Sequence, residues 1–228
     1  MLKRVAEVLC LGCLVLCGAK ATAQPAVPID QEPAHRLALQ NAHIRVFEIQ
    51  LPPGEDTLWH VHRHDGISVR LADATIEDHP KDGPARTMRL RRGAVAYGAT
   101  PTALTHRVLN AGETTFHNIY VELMPGHGGE TARATATVSD PRVEFENDRV
   151  RALRRILAPG ESTAVHTHAS SGVAVLVTAG RLEVSYPQGA ARTLDVKAGA
   201  VHWIDSGTTH TLKNVGDAPV EIVDIELK

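Results

Sequence analysis

Apolar and polar positions alternate along most of this chain with a period of two, which places successive side chains on opposite faces of a strand. The pattern is clearest in the C-terminal half, where Val173, Val175 and Val177 are separated by smaller residues. It predicts short strands over residues 149–157, 164–168, 173–178, 181–186, 192–196, 200–204, 210–215 and 220–227. Gly, Pro, Asn and Asp separate these runs at short intervals, as turns require. Beyond the N-terminal segment, no stretch carries a helical period. Many short strands with turn signals predict an all-β sandwich or barrel.

The pattern occurs twice. At an offset of 106, Asn41 falls on Asn147, Pro53-Gly54-Glu55 on Pro159-Gly160-Glu161, His60 on His166 and His62 on His168. Gly93-Ala94-Val95 then falls on Gly199-Ala200-Val201, and Tyr97 on Trp203. The offset drops to 104 for the rest, where His106 meets His210, Asn110 meets Asn214 and Glu122-Leu123 meets Glu226-Leu227. A single offset with one two-residue deletion marks a duplicated module of about 85 residues. The expected domains are residues 41–123 and 142–228. Residues 124–141, with Pro125, Gly126, Gly128, Gly129 and an Ala/Thr run, read as a linker. Residues 24–40 are a Pro-containing lead-in, an arm that could lie over one barrel.

The N-terminus changes the picture of compartment. Lys3 and Arg4, a short apolar run over residues 8–16, and Ala21-Thr22-Ala23 read as a secretory signal over residues 1–23. The run is too short for a membrane span, which takes roughly 20 apolar residues, and no later stretch qualifies. All three cysteines, Cys10, Cys13 and Cys17, lie inside this segment, so the mature chain would have none. Disulfides and Cys-ligated zinc are thereby excluded from the mature protein. A lipoprotein anchored at Cys13 or Cys17 is the rival reading, but Leu16 is large where a small residue is expected before Cys17. The expected location is periplasmic or secreted.

Composition adds one more clue. The 228 residues have a formal net charge of −2 and no basic run able to hold a phosphate backbone, which excludes nucleic acid as a partner. Histidine, at 13, outnumbers the three Phe, two Trp and three Tyr together. In each copy two His stand two apart, His60-x-His62 and His166-x-His168, and a third follows about 45 residues later, His106 and His210. On a strand an i, i+2 pair faces one way, so two imidazoles can share one metal. Neutral imidazole ligates Fe, Zn, Mn, Ni or Cu, and the spacing does not choose among these divalent ions. A lone His-x-His is commonly a surface accident; its recurrence in register with the repeat points to metal.

These residues resemble the two sequence motifs of the cupins. Gly160-x5-His166-x-His168 and Gly199-x5-Asp205-x-Gly207-x2-His210-x3-Asn214 carry the resemblance in the second copy. Gly54-x5-His60-x-His62, with Gly93 and His106-x3-Asn110, carries it in the first. The resemblance implies a bicupin: two tandem jelly-roll β-barrels with a metal inside each. The family's first motif also has a Glu four or five residues after the second His. Here Gly66 or Ile67, and Gly172 or Val173, hold that place. Asp205 replaces the family's Pro, and Ala103 stands where the second copy has Gly207, so the second copy matches better. Three neutral imidazoles leave a dication its full charge, which favours anionic ligands or metal-bound hydroxide.

Tyr97 and Trp203 are expected as pocket walls because they are large and apolar-bodied, with His202 then pointing outward. His64 is a fourth-ligand candidate or an outward residue. Glu77 and Glu183, matched at the offset of 106, are weaker substitutes for the missing carboxylate. His79, His117 and His127 have no His partner in the repeat and read as surface. The function expected is binding of a divalent transition metal through three His per barrel, with room for dioxygenase-like or other metal-dependent catalysis on a small molecule. The alternative is a binding module that holds a metal or small ligand without turnover. Homo-oligomerisation stays open at this level.

Overall fold

A computed structural model describes residues 25–126 and 141–228. The signal segment, most of the linker and His127 lie outside the described residues. The first repeat contributes β1 (Val27–Pro28), a 3-10 turn (Ile29–Gln31), β2 (His35–Gln40), β3 (Ile44–Leu51) and β4 (His60–His62). It continues with β5 (Gly66–Arg70), β6 (Ala74–Pro80), β7 (Arg86–Leu90), β8 (Val95–Gly98), β9 (Leu104–Asn110) and β10 (Phe116–Leu123). Its two sheets have the orders β1-β4-β9-β6-β7 and β2-β3-β10-β5-β8. The second repeat contributes β11 (Arg142–Glu146), β12 (Val150–Leu157), β13 (His166–Thr167), β14 (Gly172–Leu176) and β15 (Gly180–Ser185). It ends with β16 (Arg192–Val196), β17 (Val201–Ile204), β18 (Thr209–Asn214) and β19 (Val220–Leu227). Its sheets run β11-β12-β19-β14-β17 and β13-β18-β15-β16. In each repeat the two sheets face one another as a jelly-roll barrel. Among the described residues there is no α-helix, and no helix long and apolar enough to cross a membrane.

Strand parity decides what each barrel keeps inside. On β3, Phe47, Ile49 and Leu51 face the first lumen and join Ala74, Ile76, Val108 and Phe116. Ile44 and Val46, of opposite parity, face away. On β19, Val220 and Ile222 face the second lumen with Leu157, Leu176 and Leu182, while Val223, Ile225 and Leu227 face away. The outward residues are not solvated. Ile44, Val46, Ile67, Val69, Ile119 and Val121 of the first barrel form one cluster with Val150, Val173, Val175, Val223 and Ile225 of the second. The barrels therefore stand back to back, each covering the other's outer sheet face. Burying each such side chain contributes about 1.5–3 kcal/mol.

Repeated polar details hold the turns. Asn41 Oδ1 accepts the backbone N–H of His43 and Ile44, and Asn147 Oδ1 accepts those of Arg149 and Val150. Asn110 and Asn214 are fully buried. The Asn214 amide donates to Leu157 O and Ala218 O, and its Oδ1 accepts from Gly216 N; Asn110 does the same with Leu51 O, Thr114 O and Gly112 N. The closing Asn of the second motif is thus a structural residue that satisfies a turn between two strands. Gly93 and Gly199 have positive φ, 76° and 84°, and each turn rests on the other barrel. A Cβ at Gly93 would lie 2.5 Å from Glu221 Oε1, and Arg154 donates to the Gly93 carbonyl. A Cβ at Gly199 would lie 3.0 Å from Glu48 Oε1. Asp65 and Arg149 add an ion pair across the junction at 3.0 Å.

Truncation at the shared seam tests this arrangement. Ile119→Ala removes a side chain with no exposure, so a loss of about 2–5 kcal/mol is expected in urea unfolding. Because both barrels share the seam cluster, a single transition carrying both is expected. Two separate transitions, with only one shifted, would contradict a shared seam.

Candidate metal centre

The ladders bring the histidines together. His60 and His62 share a face of β4, and His106 on β9 is the direct cross-strand partner of His60. In the second barrel His166 on β13 is the direct partner of His210 on β18, and His168 follows one residue past the strand. The imidazole centroids of His60, His62 and His106 are 4.5–5.1 Å apart. Those of His166, His168 and His210 are 4.6–5.2 Å apart. The rings of both expected triplets are thus neighbours, but ligand atoms within 4.8 Å of one another are those of His166, His168 and His210 in the second barrel and of His35, His60 and His62, without His106, in the first.

Their nitrogens are oriented by hydrogen bonds that hold Nδ1. His60 Nδ1–H donates to Leu58 O at 2.9 Å, and His166 Nδ1–H to Ala164 O at 3.0 Å, the same contact in both repeats. His106 Nδ1–H donates to Asp78 Oδ1 at 2.6 Å. Each leaves Nε2 with its lone pair directed elsewhere, the outer-shell arrangement common to metal-bound histidines. His106 Nε2 is buried with no hydrogen-bond partner. In the second barrel Nε2 of His210 lies 3.0 Å from Nε2 of His166 and 3.2 Å from Nε2 of His168. Three lone-pair nitrogens at such spacing match the edges of a coordination shell with metal–nitrogen bonds of about 2.0–2.1 Å. An orphaned buried imidazole nitrogen and a convergent donor set fit a divalent transition metal.

Electrostatics agree with the geometry. Burial, then the neighbouring imidazoles, push His60 down to about 3 and His62 to about 2. Burial first, with His166 next, pushes His210 down to about 3, and burial with His166 and Arg155 pushes His168 to about 4. These rings are neutral at physiological pH and ready to ligate.

Several residues arrive that spacing did not indicate. His35, in the segment read as a lead-in, sits on β2 with its ring 4.7 Å from that of His60. Ligand atoms of His35, His60 and His62 lie within 4.8 Å of one another, as do those of His166, His168 and His210. Asp78 holds His106 across the β6–β9 ladder. Asp224 stands at the repeat position of Tyr120 and is buried in the second lumen, where burial raises its carboxyl despite Arg155 and His166. The vacancy left by the family's Glu is also explained. A Cβ at Gly66 would lie 2.2 Å from Tyr120 Oη, and one at Gly172 would lie 2.3 Å from Ile225 O. Neither position has room for a carboxylate side chain.

Of the two expected pocket walls, Trp203 borders its cavity and Tyr97 does not. Tyr97 stacks on Phe145 of the second barrel at 5.1 Å and does not border the first cavity; its hydroxyl donates to Asp65 at 2.7 Å. Trp203 borders the second cavity, but its ring stacks on His43 of the first barrel at 5.7 Å. Both pack against the seam, and His202 lines the second cavity. Parity assigns the bulky residue to the seam because that face meets another barrel. Glu183 lies between the inward Leu182 and Val184, and Glu77 pairs with His79 at 3.2 Å. His117 bonds Glu48 at 2.8 Å and so belongs to the junction.

The two cavities differ. The first, about 190 Å³, is lined by the four His, Arg70, Asp78, Ser68, Asn118 and Tyr120 among others. The second, about 380 Å³, is lined mostly by aliphatic side chains, with His202, His210 and Asp224.

Comparison with known proteins follows the same division. Residues 153–226 match the family described as the cupin domain. The chain is similar to AerE from Microcystis aeruginosa, with 12% identity over 86% of this chain and 98% of that one, at a TM-score of 0.59. It is similar to Lactobacillus farciminis oxalate decarboxylase in a formate complex, with 14% identity over 82% of this chain and 77% of that one, at a TM-score of 0.59. Bacillus subtilis oxalate decarboxylase, a protein with Mn(II) centres, gives 13% identity over 82% of this chain and 69% of that one, at 0.52. No curated protein sequence gives a significant match. The second repeat carries a cupin domain, and the chain as a whole has the duplicated two-barrel form of the cupin fold.

The lowered imidazole values set a pH dependence. A His whose folded value lies below its unfolded value of about 6.5 binds its proton more readily in the unfolded chain. Stability is therefore complete above about pH 6.5 and falls as pH drops toward the folded values of about 2 to 4. Thermal melts of the metal-free protein between pH 7.5 and 4 should show this fall. A Zn(II)-induced rise in Tm should persist at pH 5.5, since the folded rings are already neutral there.

Proposed function

We propose that the protein is a periplasmic or secreted metal-dependent cupin that binds a divalent transition metal through His60, His62 and His106 and through His166, His168 and His210. Its first barrel acts on a small anionic molecule. The observation that carries this reading is Arg70. Its guanidinium lines the first cavity over the Phe116 ring, at 5.6 Å, with no ion pair or hydrogen bond among the described residues. Buried cations are normally paired, so an unpaired one in a cavity marks a place for an anion. Neutral imidazoles add to this, because they leave the charge of a bound dication undiminished. The cavity's small volume limits the guest to a few heavy atoms, such as a short carboxylate or an enolate.

When bound, the metal would supply Lewis-acid polarisation or redox chemistry of the dioxygenase-like kind. The chain's own part is to hold the anion and exclude water. Arg70 fixes the anion's orientation by charge-assisted hydrogen bonds, and Ile49, Ile76 and Phe116 keep that end of the cavity dry. Asp78 fixes the ring of His106.

A second reading, ligand binding without turnover, is favoured by the second barrel. Its larger, mainly aliphatic cavity, bordered by the exposed Tyr186 and Leu194, suits an apolar organic molecule rather than a small anion.

Metal content of the mature protein by plasma mass spectrometry should give two equivalents per chain. Fe(II)-loaded protein should take up dioxygen with at least one member of a panel of diketones, flavonols, thiols and short carboxylates. Arg70→Gln should then raise KM about 10–100-fold, as loss of a charged hydrogen bond predicts. No uptake, together with ligand-induced melting shifts, would favour the binding module.

A further inference from the structure

The first barrel offers its metal one more imidazole than the second, and the extra one comes from outside the repeat. The repeat position of His35 is Pro141, which has none. We propose that His35 is the fourth protein ligand of the first barrel, standing in for the missing carboxylate, and that Glu32 is its positioning residue. The inference rests on the reading of the first barrel as a metal centre.

One buried network orients His35 and His60 together. Glu32 Oε2 accepts from His35 Nδ1–H at 2.5 Å, and Glu32 Oε1 accepts from Leu58 N–H at 3.1 Å. Leu58 O in turn accepts from His60 Nδ1–H at 2.9 Å. A single carboxylate and the backbone of a single residue, Leu58, thus set the tautomer of both rings and leave both Nε2 lone pairs available. No hydrogen bond among the described residues reaches His35 Nε2. The side chains of His35 and Glu32 are 7% and 2% exposed, so this is a built site and not a surface encounter. A carboxylate–imidazole pair buried for packing alone would be costly to keep.

The arm that carries His35 is anchored to the ligand strand itself. β1 pairs in parallel with β4, placing Val27 beside His60, and Val27 N–H donates to Trp59 O at 2.9 Å. Ile29, 2% exposed, inserts into the first barrel's core. Metal held by His35 would therefore tie residues 27–35 to the barrel at one more point. The resulting shell is all nitrogen and uncharged, so the bound dication keeps its full charge toward a guest at Arg70.

The test uses the full mature chain with His166→Ala and His168→Ala, which silences the second barrel. Co(II) affinity is measured by titration, and backbone hydrogen exchange of residues 27–35 is followed with and without Co(II). His35→Ala is expected to weaken Co(II) about 10–100-fold, Glu32→Gln by about 10-fold, and His35→Ala should abolish the metal-induced protection. His35→Gln, which keeps a polar side chain, should behave like His35→Ala. Unchanged affinity and protection in both His35 variants, while His106→Ala abolishes binding, would overturn the role of His35 and leave the metal centre standing. A parent that binds no Co(II) would overturn both.

Discussion

The packing of one barrel's outer sheet against the other's is the constraint from which the rest follows. A jelly-roll sheet has two faces, and in a chain this short both cannot be covered from within one repeat. Here the outer faces of β3, β5 and β10 meet those of β12, β14 and β19, and fully buried Ile, Val and Leu fill the space between. With that face supplied by the seam, the lumen need not carry the whole core. It has room for histidines, an arginine and carboxylates beside its aliphatic floor.

The two lumens have diverged on one frame. Both keep His-x-His with a cross-strand third His, and both hold the first ring through the carbonyl two residues before it. The differences lie around that frame. The first barrel has His35 with Glu32, Asp78 beside His106, Tyr120 filling the family's carboxylate position, and Arg70 opposite. The second has Asp224 where the first has Tyr120, with Arg155 near it and a wider aliphatic space. Substitutions at a few inward positions have given one lumen a polar, compact character and the other an apolar, roomy one.

Much of this was legible from the chain. Period-two alternation with turn residues indicates β structure at the level of individual strands, and a repeat in register makes six histidines far more telling than two. The third histidine was legible as a candidate ligand because its distance from the pair recurs, although only the ladder shows that His60 and His106 are direct partners. Trp203 borders the second cavity as expected, whereas Tyr97 borders neither cavity described and packs at the seam for a physical reason. Inward placement of a bulky residue assumes that outward means water, and here outward means another barrel. His35 carried no spacing signal because it lies outside the repeat. Asp224 sits within an apolar strand, where no local pattern marks it as a lumen residue. Asp78 acts on His106 across a ladder, and Glu32, although three residues from His35, also reaches Leu58, so neither role is recorded by a repeat or a motif.

The seam also bears on assembly. Two homologous sheets meeting back to back reproduce, inside one chain, the kind of pairing by which identical subunits form a two-fold dimer. The tether keeps the halves at high effective concentration, so the pairing does not depend on how much protein is present. The surface that a single barrel would offer to its own copy is already occupied. Any further self-association of this chain must therefore be built from other faces, and its symmetry would be independent of the one that the duplication fixed internally.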